Sequence, residues 1–156
     1  MTSGALPEVQ LVPLGWDQHH TLNATLSYSA PHWGASFIGQ YGTGTPYTPR
    51  RSTDITSLLT NSQTKPQFFN LDAQAFYTVN FDQLHFVLFL RVFNVLDTRN
   101  EVGVFDDTGR AGFTTDEART LRTNPLQVVN SVQDWYIIPT NYSEPRRFEF
   151  GINLEF

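Results

Sequence analysis

The chain has 156 residues, with thirteen Phe, six Tyr and three Trp against one Met and no Cys, and a formal net charge of −5. The missing cysteines exclude disulfides and thiolate metal sites. Basic residues are paired only at Arg50-Arg51 and Arg146-Arg147, which argues against nucleic acid as a partner, because phosphate recognition needs a concentrated basic face.

The opening MTSGALPEVQ has neither the basic start nor the apolar run of a secretory signal, and no stretch approaches the apolar length of a membrane-spanning helix. Residues 1–15 read as a lead-in or the remnant of an outer loop. The first period-two segment follows from Trp16 to Tyr28, where Leu22, Ala24, Leu26 and Tyr28 alternate with Thr21, Asn23, Thr25 and Ser27. SAPHW turns the chain into a second segment, with Trp33, Ala35, Phe37, Gly39 and Tyr41 on one face. GTGTPYTP ends it and opens a long polar connection from about Pro46 to Gln67.

A third segment sets Phe69, Leu71, Ala73, Ala75, Tyr77 and Val79 against Asn70, Asp72, Gln74, Thr78 and Asn80, with Phe76 breaking the polar side. NFDQ turns it into a fourth, from Leu84 to Val92, whose second face (His85, Val87, Phe89, Arg91) is mixed. Another long connection, from Asp97 to Pro145, contains TTDEARTLRT and predicts one or two helical turns from near Thr115. The fifth segment is the terminal RRFEFGINLEF: Phe148, Phe150, Ile152, Leu154 and Phe156 alternate with Arg147, Glu149, Gly151, Asn153 and Glu155. Chain ends are normally polar and frayed, so this one must be tied into a sheet.

Most segments are about 9–11 residues, the length of a tilted membrane-crossing strand, and the connections alternate short and long, as in outer-membrane hairpin barrels. The expected fold is all-β: an antiparallel up-and-down transmembrane β-barrel segment of about five strands with two long outer loops, a partial barrel. Five strands cannot close, because single-chain bacterial barrels use an even number from about eight upward.

The terminal amphipathic strand ending on Phe156 resembles the C-terminal assembly signal of outer-membrane barrels. WDQHHTLNATLSY, GQYGTGTPYTP, LFLRVFNVLDTRN, VFDDTGRAGFT and NYSEPRRFEFGINLEF resemble, in this order, segments of TonB-dependent outer-membrane receptors. The resemblance covers most of residues 16–156 and implies the C-terminal barrel strands of such a receptor, lacking the plug and the remaining barrel. It departs at His19, where the family usually has Arg. What it implies is energised uptake of a scarce nutrient (siderophore, vitamin or glycan), localisation in the bacterial outer membrane, no cofactor and no enzymatic activity. The implied partners are outer-membrane lipid, the barrel-assembly machinery, the missing N-terminal barrel and plug, and TonB through that plug. The assembly signal falls on Phe148, Phe150, Ile152, Leu154 and Phe156. Arg91 is expected in the lumen, paired with plug acids or lining an anionic ligand path. Trp135, Tyr136 and Tyr142 are candidate loop ligand contacts or loop packing.

Other patterns carry less. His19 and His20 are neighbours, which on a strand point to opposite faces and do not share one ion. Asp106, Thr108 and Glu117 fall on positions one, three and twelve of a calcium loop, but Arg110 stands at position five, so a structured turn at Asp-Thr-Gly is the better account. No arrangement of Ser, His and acid is singled out by spacing. The competing reading is a soluble β-sandwich that binds carbohydrate, with the oily faces of two sheets packed together.

Overall fold

The computed structural model describes residues 11–50, 60–82, 84–123 and 131–155. Five long strands form one antiparallel sheet: β1 (Thr21–Ser29), β2 (Trp33–Gly42), β5 (Phe68–Phe81), β6 (Leu84–Phe93) and β7 (Arg147–Glu155), in the order β1-β2-β5-β6-β7. Between β2 and β5 a two-residue ribbon, β3 (Pro46–Tyr47) with β4 (Gln63–Thr64), stiffens the first long connection. The second long connection carries helices α1 (Thr115–Thr123) and α2 (Val132–Tyr136) and a 3-10 turn at Pro139–Asn141. The helix expected near Thr115 is present. The first strand begins at Thr21 and not at Trp16: Asp17 N–H donates to Leu14 carbonyl in a turn, and the ladder starts with Thr21 opposite Gly42.

Every sheet neighbour is reached by an up-and-down connection. The two short hairpins are tight. Ala30 N–H donates to Trp33 carbonyl at 2.8 Å in the first, and Asp82, with φ of +53°, supplies the left-handed residue of the second. The sheet is open: β1 and β7 each pair on one side only, and it does not close into a barrel.

The register puts the apolar rows on one face. Leu26, Phe37, Ala73, Val92 and Phe148 lie opposite one another across all five strands, and Ala75, Leu90 and Phe150 continue the next row. None of this is covered: Leu26 is 73% exposed, Phe37 47% and Phe150 71%. Ala111 and Val132, both in the connection between β6 and β7, are the buried hydrophobic residues among those described. A sheet of this size normally hides one oily face against another layer. Among the described residues the other sheet is the two-residue ribbon β3-β4, and the oily face of the five-stranded sheet stands exposed.

The opposite face is mostly polar, and one of its rows explains the break at Phe76. Gly34, Phe76, Phe89 and Gly151 form a row across β2, β5, β6 and β7. The Phe76 ring lies over Gly34, where an added Cβ would come 2.5 Å from Cε1, and the Phe89 ring lies over Gly151 in the same way. Each glycine leaves room for the neighbouring ring to lie flat on the sheet, and each ring shields the backbone that glycine exposes.

Candidate functional site

The end of the sheet that carries the long connections is finished by side chains where strand pairing stops. β6 leaves the ladder at Phe93, while β5 extends four residues further, so the upper edge of β5 would carry unpaired backbone groups. Asp72 Oδ1 accepts from Asn94 N–H at 2.9 Å, and Val95 N–H donates to Leu71 carbonyl. Asn100 then replaces a strand: its Oδ1 accepts from Phe69 N–H at 2.9 Å and its Nδ2 donates to Phe69 carbonyl at 2.8 Å.

Asn94 does the corresponding work at the foot of the loop. It is buried, with φ of +52°, a conformation Asn tolerates better than residues without a short amide. Its Nδ2 donates to the carbonyls of Thr98 and Glu144, both at 3.0 Å, and its Oδ1 accepts from Thr98 N–H at 2.9 Å. One side chain thereby ties the exit of β6 to the entry of β7.

Above this, the two long connections interlock into a cap over that end of the sheet. The Arg50 guanidinium lies 3.1 Å from Asp106 and also pairs with Asp116, while Lys65 Nζ donates to Val102 carbonyl at 2.9 Å. Arg50 therefore places a fixed cation within the calcium-like stretch, whose Asp-Thr-Gly turn is closed by Gly109 N–H donating to Phe105 carbonyl, with Gly109 at φ +68°. Among the described residues, no group of three or more His, Asp or Glu is placed to hold a metal ion.

Glu101 receives Arg110 on both oxygens and also accepts Ala111 N–H at 2.6 Å. Burial works to raise its pKa, but the hydrogen bonds from Arg110 and Ala111 outweigh it and hold the carboxyl below its ordinary value. Asp107 is depressed similarly: burial opposes ionisation, and Thr115 and Thr114 overcome it. A group with a depressed folded-state pKa stabilises fully above its unfolded value and loses that contribution as pH falls through the folded one. The cap formed by the interlocked connections should therefore loosen in acid, below about pH 4. Glu101→Gln should flatten that part of the pH dependence, which thermal unfolding at pH 3 and pH 6 would measure. An unchanged pH dependence in the variant would remove Glu101 from this account.

The predicted residues fall in three places. Phe148, Phe150, Ile152 and Leu154 stand on the exposed oily face, opposite Val92, Leu90, Leu88 and Phe86, whereas Phe156 lies outside the described residues. Arg91 is on the polar face between Gln74 and Glu149, 3.9 Å from the Glu149 carboxylate and over the Phe89 ring. Tyr136 is half-buried, its hydroxyl 3.0 Å from Thr120 Oγ1 and its ring edge-on to Phe105, and Tyr142 joins a bridge to Glu101, so both pack the cap. Trp135 is 66% exposed. His20 is held by its backbone against Thr43, and His85 Nδ1 lies 2.8 Å from Asn80 Oδ1.

The structure adds a feature that single-strand reading does not single out. Tyr28, Trp33 and Tyr77 gather on the oily face beside the short hairpins, with the Tyr28 and Trp33 rings 5.1 Å apart and Trp33 opposite Tyr77. Tyr41 and Phe69 stand opposite each other at the other end. From Trp33 to Tyr41 is roughly 26 Å along the strand and about 20 Å once tilted, comparable with the apolar band of an outer-membrane barrel. The signal was available in the sequence as eight-residue spacings within β2 and β5, but it needs the register to become two belts.

No family model, curated protein or solved structure matches the chain.

Proposed function

We propose that the chain is the C-terminal wall of a TonB-dependent outer-membrane receptor, contributing five strands, part of the outer loop rim and the assembly signal to energised uptake of a scarce nutrient. The observation that carries the membrane part is the oily face, which is continuous in register across five strands, uncovered and bounded by aromatics at both ends. Water would oppose such a patch, whereas lipid solvates it and aromatic rings favour the interface. The receptor family, the cargo and the link to TonB rest on the sequence resemblance.

The wall needs other strands. In an up-and-down sheet of five, the two edge strands run in the same direction. All-antiparallel closure therefore requires an odd number of additional strands. Two copies arranged about the barrel axis would instead join β7 to β1 in parallel, so closure falls to a different segment or chain. The role proposed for it is structural within transport.

Spin labels can test the two faces. Cysteines at Phe37, Leu90 or Phe150 should be accessible to oxygen in the bilayer, and those at Gln40, Gln74 or Asn153 to a water-soluble nickel chelate, in the longest natural polypeptide containing this chain. Equal nickel access on both faces would defeat the wall assignment. So would recovery of the chain as a detergent-free soluble monomer.

A further inference from the structure

We propose that the inner face of the sheet holds a subsite for a neutral polyhydroxylated ligand, one hexose unit of an oligosaccharide, between Ser27, Ser36 and Gln74 with Phe76 as its floor. The proposal rests on the wall reading only in that the lumen is the side from which the ligand arrives. Three observations point to it.

The first is an unmet hydrogen-bonding group. Ser36 is 8% exposed, and its Oγ is buried without a partner. A buried hydroxyl left in that condition costs free energy, and native structures supply such groups with water or a ligand. Ser36 lines a groove of about 280 Å³, near the lower end of ligand-pocket sizes and wide enough for a sugar unit with some water.

The second is the chemistry of the surrounding row. The register places Ser27, Ser36 and Gln74 side by side on three strands, with Thr25 one layer above. Each of these groups both donates and accepts, as the hydroxyls of a sugar do. Phe76 lies one layer below, lines the same groove and is 41% exposed, its ring anchored over Gly34. An anchored ring beside a row of hydroxyls and an amide suits a hexose, which offers hydroxyls at its rim and C–H groups on its face.

The third is charge. The groove residues are uncharged, and the nearest cation on the row, Arg91, is occupied by Glu149 and Phe89. An anionic ligand would find no free cation among the groove residues, whereas a neutral polyol loses nothing there.

The test is calorimetric titration of the folded full chain, within the polypeptide that completes its barrel, using maltohexaose, cellohexaose and, as the anionic comparison, a hexamer of galacturonate. One or both neutral hexasaccharides should bind with Kd of about 1 mM or tighter, ahead of the galacturonate hexamer. Gln74→Leu and Ser36→Ala should each weaken binding about tenfold, while Asn153→Leu, on the same face but away from the groove, should leave Kd unchanged. Circular dichroism establishes that each variant is folded. Absence of binding by both neutral sugars at about 5 mM, an unaltered Kd in Gln74→Leu, or tighter binding of the galacturonate hexamer would overturn the subsite. Vesicle flotation separates the two readings. Protein that floats and binds neither neutral sugar refutes the subsite alone, whereas protein that binds sugar but stays with the aqueous fraction refutes the wall.

Discussion

Replacing Asn94 by alanine is expected to destabilise the protein by about 3–5 kcal/mol. Alanine would remove the two donations to Thr98 and Glu144 and the acceptance from Thr98, in a place where the partners are shielded from water. Lost hydrogen bonds of this kind cost roughly 1 kcal/mol each, and more where a buried partner stays unpaired. Alanine would also have to hold φ of +52°, adding roughly 1 kcal/mol of strain. Asn94→Gly should recover the strain but not the hydrogen bonds, and so fall about 1 kcal/mol short of the alanine loss. Asn94→Asp keeps the acceptor from Thr98 and gives up both donations, leaving two carbonyls unpaired. Urea unfolding of detergent-folded protein measures all three. A loss below about 1 kcal/mol for Asn94→Ala would mean that the cap is held elsewhere, with Asn100 the next candidate.

The difference between Asn94 and the strands marks what could be read directly from residue order. A strand with one oily face declares itself every second residue, so four of the five strands start within one residue of where alternation places them, and both tight turns fall at SAPHW and NFDQ. The exception is the start of β1, where Trp16 and Asp17 continue a polar-apolar rhythm but curl into a turn that finds no partner on β2. Helix α1 was legible from its acidic first turn at Asp116 and Glu117 and its later arginines. Helix α2 was not: five residues carry too little periodicity, and its start depends on a capping box between Ser131 and Asp134. The cap was opaque for a related reason. Asn94 and Asn100 act through amides that reach partners up to 50 residues away, and no local pattern announces such a reach. The candidate site divides in the same way. The faces of Arg91, Phe148 and Phe150 follow from parity alone, whereas the packing roles of Tyr136 and Tyr142 depend on the cap that closes around them.

Phe37→Arg is the corresponding expectation for the membrane reading, and it separates lipid from water as the solvent of the oily face. Phe37 lies four residues from Trp33 and four from Tyr41, at the middle of the band, with Leu26 and Ala73 as lateral neighbours. If lipid surrounds it, an arginine there costs about 2–4 kcal/mol, the largest penalty available to any depth on a barrel exterior. If water surrounds it, the substitution removes 47% exposed aromatic surface and costs little or improves solubility. Gln40→Arg serves as the control, since Gln40 stands on the polar face of the same strand, opposite Asn23 and Asn70, where a charge remains hydrated. The measurement is the amount of folded protein in the outer-membrane fraction, with urea unfolding in bilayers for the energy. Phe37→Arg should deplete the folded fraction severely while Gln40→Arg leaves it near the parent level. Similar levels for the two variants would place water on both faces, and the uncovered oily rows would then require a protein partner instead of lipid.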